Sequence, residues 1–304
     1  MGGVAGGRLA AAVTEAGGLG LIGGGYGEAA WLDREFVAAG NARIGCGFIT
    51  WSLARQPELL DQVLAHAPAA VMLSFGDPAP FAPAIHAAGS VLICQVQTIA
   101  HARAALDAGA AIIVAQGTEA GGHGAVRATL TLVPEIADLL ARDSPDTLLV
   151  AAGGIADGRG LAASLMLGAD GVMIGSRLWA STESLIHPNH QKAALASNGD
   201  ATLRQIAADI ARGYDWPAEF TGRVLNTDFV RRWQGREDEQ RDQAESSRPA
   251  YLGAVAEGRT QEAGVFVGEA IGLMHDVKST EAIIDALVAQ ATTLLGRHGP
   301  AFIV

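Results

Sequence analysis

One histidine sits among four glycines in the stretch Gln116-Gly117-Thr118-Glu119-Ala120-Gly121-Gly122-His123-Gly124. Glycines leave little local bulk for an imidazole to pack on. They also let the backbone lie against a flat ligand while His123 points into a pocket. An unperturbed imidazole titrates at about 6.5, so it can take or give a proton near neutrality. His123 is therefore the candidate for proton transfer. Glu119 has two readings: it orients a neighbour, or it accepts backbone N–H groups of the loop, which is the expected role. Two further glycine stretches are Gly153-Gly154-Ile155-Ala156-Asp157-Gly158 and Gly175-Ser176-Arg177. Glycines at strand ends let N–H groups approach a phosphate closely. The stretch from Gly158 reads as a helix whose N-terminus favours an anion. Together these stretches predict a phosphate cradle. Gln95 can donate and accept, which suits the edge of a cofactor ring; the alternative is a hydrogen-bonded residue at the mouth of the fold.

Other reactive types carry less. His187 and His190 are three residues apart, with no helix and no third ligand in view, and read as a surface loop. No metal site is expected. Cys46 and Cys94 lie in apolar runs and read as buried thiols. No Gly-x-Ser-x-Gly elbow occurs. Gly18-x-Gly20-x-x-Gly23 fits a dinucleotide fingerprint by spacing alone. A helical pattern precedes it, however, and 19–22 is itself the strand, which reverses the required order.

Positioning these residues requires a scaffold. Short apolar runs recur at 19–22, 43–49, 69–75, 91–96, 110–115, 148–152 and 171–174, each the length of a strand buried on both faces. Helical patterns lie between and around them at 8–16, 28–39, 57–65, 81–88, 99–108, 133–141 and 158–167. Many end in glycine: Gly17-Gly18, Gly40, Gly89, Gly109 and Gly168 read as helix stops. Alternating strands and helices predict a parallel sheet of βαβ units. The fold class is α/β, a (β/α)8 TIM-type barrel. Only seven strands can be counted, so the first is expected ahead of Met1. The chemical stretches then follow strands six, seven and eight, at the carboxyl ends where such barrels keep their active sites. Residues 1–183 form the barrel and 264–304 pack back on it. Between them, 184–263 read as an irregular helical subdomain or lid, whose charge run 236–241 is a solvated helical face.

The chain has 304 residues, of which 49% are hydrophobic and 17% charged. That excludes disorder. Its 39 glycines follow no three-residue period, which excludes collagen. A net charge of −11 and a pI near 5.1 argue against a nucleic-acid partner. No apolar run reaches the ~18 residues of a membrane span, and no secretory signal opens the chain. A soluble cytoplasmic protein is expected, the acidic balance does not by itself choose a small-molecule substrate, and the oligomeric state stays open.

The stretches Gly117-Thr-Glu-Ala-Gly-Gly-His-Gly124, Ala151-Ala-Gly-Gly-Ile-Ala-Asp-Gly-Arg159 and Gly168-Ala-Asp-Gly-Val-Met-Ile-Gly-Ser-Arg177 resemble the nitronate monooxygenase family, formerly 2-nitropropane dioxygenases. The opening Met1-Gly-Gly-Val-Ala-Gly6, Arg232-Trp-Gln-Gly-Arg-Glu237 and Gly268-Glu-Ala-Ile-Gly-Leu273 are similar to its segments too. The resemblance spans nearly the whole chain. It implies an FMN-containing barrel that oxidises alkyl nitronates with O2 to a carbonyl compound and nitrite. His123 resembles the catalytic base. Gly122, Gly153, Gly154, Gly175 and Ser176 resemble residues that hold FMN. Met1 matches the last residue of a segment at the flavin, and Gln95 a ring-contacting position. Gly47 stands where some members carry Asn. An FMN-dependent enoyl-thioester reductase using NAD(P)H is the nearest alternative. A flavin-binding barrel without catalysis, lacking its first strand, is another.

Overall fold

A computed structural model of the chain describes residues 2–298. Among the described residues ten strands occur in chain order: β1 (Leu21–Gly25), β2 (Gly45–Ile49), β3 (Ala70–Ser74), β4 (Val91–Val96), β5 (Ile112–Gln116), β6 (Gly122–Gly124), β7 (Leu148–Ala152), β8 (Gly171–Met173), β9 (Thr202–Gln205) and β10 (Thr221–Leu225). Seven make one parallel sheet in the order β1-β2-β3-β4-β5-β7-β8. These are the seven expected strands, and helices separate them as the α/β barrel reading requires. The five glycines 17, 40, 89, 109 and 168 all adopt positive φ at helix ends. Such angles cost glycine little and other residues much.

Strand side chains alternate between two faces. One set, including Val71, Leu73, Leu92, Cys94, Ile113, Ala115, Leu149 and Ala151, packs in a large core with helix residues such as Leu32, Ile85, Leu132 and Ile136. The other set, Ala70, Ile93, Val114 and Ala152 with Met72, Ile112, Val150 and Met173, packs on itself inside the curled sheet. Burial on both faces explains why the strands read as continuous apolar runs. Gln95 shares the inner parity of Ile93, and Gln116 that of Ile112 and Val114.

Among the described residues β1 and β8 are the edges of this sheet. The Gly23 N–H of β1 donates to the Ala5 carbonyl at 2.8 Å. Ala5 packs with Leu9, Leu178, Ile283 and Ile174, and Ile174 directly follows β8. The opening loop and the flanking helices thus reach both edges. The contact expected at Met1 lies outside the described residues.

The segment 184–263 is not purely helical. Four α-helices, Pro188–Leu195, Ala207–Arg212, Asp228–Trp233 and Glu237–Ala256, accompany β9 and β10. Those strands form an antiparallel sheet with β6, in the order β6-β10-β9. The Gly-Gly-His stretch, expected as open loop, is therefore partly a strand. Its two glycines lack β propensity, and it is held extended by pairing with Thr221–Arg223, about 100 residues downstream. No helix of the described residues is long and apolar enough to cross a membrane.

Candidate active site

The site begins where β5 ends. Gly117 N–H donates to the Ala152 carbonyl at 2.8 Å, which extends the pairing with β7 by one residue. The chain then folds over the N-terminus of the helix Thr129–Asp143. Glu119 accepts the Thr129 N–H at 3.1 Å and its hydroxyl at 2.8 Å. That is the backbone-satisfying role expected of Glu119. Two arginines hold the loop from the second sheet. Arg204 Nε donates to the Thr118 hydroxyl at 2.9 Å, and Arg223 Nε to the Thr118 carbonyl at 3.0 Å. Burial, and then Arg223 nearby, bring the Arg204 guanidinium down to about 10.

On β6, His123 lies opposite Gly222. Its side chain is 8% exposed. Nε2 lies 2.8 Å from Asp209 Oδ2, and the other Asp209 oxygen accepts from Arg212 at 2.6 Å. Trp216 stacks on the imidazole at 3.5 Å and 3°. Phe266 stands at 5.6 Å and Phe75 at 6.5 Å. The Trp216 indole donates to the Tyr26 hydroxyl at 2.9 Å, and Tyr26 stacks on Tyr214 at 3.7 Å. Burial pushes the Tyr26 phenol up to about 12, so it stays neutral. Burial, with the Arg212 and Arg204 charges, holds the His123 pKa below its usual value against the Asp209 carboxylate, which raises it. The resting imidazole is therefore neutral at physiological pH, the form a general base needs.

Three glutamines tie this histidine to the barrel. Gln95 and Gln97 both donate to Gln116 Oε1, at 3.0 and 2.9 Å. Gln116 Nε2 in turn donates to the His123 carbonyl at 3.1 Å. Gln95 thus sits at the barrel mouth, two hydrogen bonds from His123.

The glycine stretches gather around the same loop. After β7, Gly153 has φ +107° and Gly154 φ +73°. A Cβ on Gly153 would stand 2.8 Å from the Thr129 hydroxyl, and one on Gly154 3.3 Å from the Glu119 Cβ. Ser176 opens the short helix Ser176–Trp179 after β8, and its hydroxyl accepts the Gly268 N–H at 2.7 Å. Gly268 also presses on Gly121, leaving 2.4 Å for a Cβ there. A Cβ on Gly122 or Gly175, by contrast, would meet nothing within 4 Å. Gly153, Gly154 and, through Gly268, Ser176 thus lie against the loop that carries Gly122 and His123, and Gly175 adjoins Ser176.

Three expectations need correction. The helix Gly158–Met166 offers no open N-terminus for an anion. Gly158 N–H donates to Gln290 at 2.7 Å, and the Asp157 carboxylate caps Arg159 and Gly160 at 2.9 and 3.3 Å. Its donors are already satisfied by this chain. Arg177 also turns away from the glycines, buried against Asp276 and the Ala180 carbonyl. Finally, His187 and His190 begin a helix, Pro188–Leu195. His187 caps it through Asn189 N–H, and His190 is buried between the Thr260 hydroxyl and the Val255 carbonyl.

The model of the nitronate monooxygenase family matches residues 50–290, most of the chain. The chain belongs to the nitronate monooxygenase family. It is 31% identical to a nitronate monooxygenase of Neurospora crassa, over 95% of this chain and 86% of that protein. It is 33% identical to nitronate monooxygenase npaC of Metarhizium robertsii, over 94% and 88%. Among solved structures, FabK from Thermotoga maritima superimposes with a TM-score of 0.86 at 29% identity, covering 99% of this chain and 94% of that one. Members of this nitronate monooxygenase family are flavin-dependent oxidoreductases acting on small molecules, and this chain is such an enzyme.

Asp209, Arg212, Trp216, Tyr26 and Gln116 were not singled out from the sequence. Of these, only Gln116 stood in a stretch already in view, as the first residue of the Gly-Gly-His stretch.

Proposed function

We propose that this enzyme uses FMN to oxidise alkyl nitronates with O2 to a carbonyl compound and nitrite. The observation that carries this reading is that Gly154 packs on Glu119, and Ser176, through Gly268, on Gly121, in the loop that presents Gly122 and His123. A phosphate binds well where backbone N–H groups are unobstructed by side chains. Gly175 satisfies that condition, Gly122 leaves the same open space for a flat ring, and the residues present fit a flavin mononucleotide. Gly153, Gly154, Gly175 and Ser176 would hold its phosphate, with Gly122 and Gln95 toward the ring. When bound, FMN supplies the electron transfer that the protein's side chains cannot.

The chain's own residues do the rest. Trp216, Phe75 and Phe266 wall the imidazole, with Phe220 packed on Phe75 behind them, and exclude water. That suits a small apolar substrate with a polar head. With a neutral nitroalkane, the neutral His123 removes the proton on the carbon next to the nitro group. The C–H bond breaks, an N–H bond forms, and the electron pair passes into the nitro group to give the nitronate. With a nitronate supplied directly, this step is already complete.

The test uses the purified full chain. Flavin absorbance, O2 uptake and nitrite release are followed with propyl nitronate. The expected result is bound FMN with nitrite formed as O2 is consumed. Flavin reduction by NAD(P)H, with a thioester substrate turned over and no nitrite, would replace this reading with the reductase one.

A further inference from the structure

We propose that Asp209 is a positioning residue that holds His123 as its Nε2–H tautomer, leaving Nδ1 as the atom that accepts the substrate proton. This rests on the reading of His123 as a base. An ionised carboxylate only accepts hydrogen bonds. Nε2 stands 2.8 Å from Asp209 Oδ2, so in the neutral ring Nε2 must carry the hydrogen. The lone pair then lies on Nδ1. Nδ1 makes no hydrogen bond among the described residues.

Asp209 is itself fixed. Its side chain is 3% exposed, and Arg212 holds its second oxygen at 2.6 Å. Arg212 lies 4.5 Å over the Phe266 ring, which packs near the imidazole. The imidazole cannot turn over freely, because Trp216 covers one face at 3.5 Å. The backbone beneath is anchored by Gln116 at the His123 carbonyl and by pairing with Gly222. The charged groups facing the ring are Asp209 and Arg212 from the helix Ala207–Arg212 and Arg204 from β9. Of these only Asp209 favours the imidazolium that proton abstraction creates. It therefore selects the tautomer beforehand and balances the charge afterwards, as carboxylate partners of catalytic histidines do.

The full chain labelled with 15N-histidine tests this by NMR, with no substrate present. The expected wild-type tautomer is Nε2–H. Asp209→Asn can donate to Nε2 instead, so it should populate Nδ1–H, while Asp209→Glu should keep Nε2–H. In kinetics, Asp209→Asn should lower kcat for nitroethane by about 10²-fold or more, with KM little changed. Turnover of preformed ethyl nitronate should stay within a few-fold. The acid limb of nitroethane turnover should move to lower pH, because the one group favouring the imidazolium is gone. A wild-type Nδ1–H tautomer would overturn the proposal, and that reading needs no variant to fold. So would an Asp209→Asn protein with unchanged tautomer and pH profile. If the wild type turns over no nitro compound yet shows Nε2–H and loses it in Asp209→Asn, the positioning role stands and the nitronate reading fails.

Discussion

The glycine turns after β7 and β8 and the surroundings of His123 are built by opposite means. The turns are backbone. Gly153 and Gly154 adopt positive φ, and Gly175 has empty space beside it. The histidine's environment is side chain. Its partner Asp209 is 86 positions away in sequence, and its stacking partner Trp216 comes from the same distant segment. The difference teaches where each half is fragile. The proposed cradle of backbone N–H groups would fail when a Cβ is added. A proton-transfer site fails when a remote side chain is lost.

The largest stability effect is expected at Gly153. Gly153→Val combines a positive φ with contacts on the Thr129 hydroxyl and the Gly117 carbonyl. It should cost on the order of 3 kcal/mol, read as a fall in denaturation midpoint. A neutral result would mean the turn is not constrained as described. Next is Glu119→Ala, which strands the Thr129 N–H, while the hydroxyl keeps the Gly153 carbonyl at 3.1 Å. An unsatisfied buried group costs about 1–3 kcal/mol, so chemical denaturation should show a loss in that range. Gly175→Ala sharpens the comparison. Its Cβ meets nothing and its φ of −97° is ordinary, so the fold should be unchanged. Titration should nevertheless show roughly tenfold weaker FMN binding, the equivalent of about 1.4 kcal/mol. Unaltered affinity would remove Gly175 from the cradle.

The smallest effect is on acid stability. Burial lowers the pKa of His123 in the fold, so the unfolded chain binds that proton more readily. Stability from this group is present above about pH 6.5 and is lost as pH falls below it. Midpoints measured at pH 5 and 7.5 should therefore differ more for the wild type than for His123→Asn. Equal differences would mean that the imidazole titrates alike in both states.

The same division explains what was legible beforehand. The seven parallel strands follow from apolar runs punctuated by glycine, a local signal that burial on both faces only strengthens. The glycine turns and His123 stand out because glycine is costly unless a special conformation or close approach needs it. The sheet β6-β10-β9 was missed because β6 is three residues with two glycines, and β10 carries a glycine and an arginine inside it. Those strands exist through pairing, which no local pattern announces. Asp209 was missed for a related reason. It sits in the run Ala207-Ala208-Asp209-Ile210-Ala211, where only the fold reveals which face meets an imidazole. The helix from Gly158 misled because capping by Asp157 and by the distant Gln290 uses the donors that looked available.

In the proposed reaction His123 is the base, and its work ends once a nitronate exists. The direct measurement compares His123→Asn with the wild type on nitroethane and on ethyl nitronate, by O2 uptake in FMN-saturated protein. The predicted result is a loss of about 10²–10⁴ in kcat/KM with nitroethane and only a few-fold loss with the nitronate. Equal losses on the two substrates would contradict the assignment.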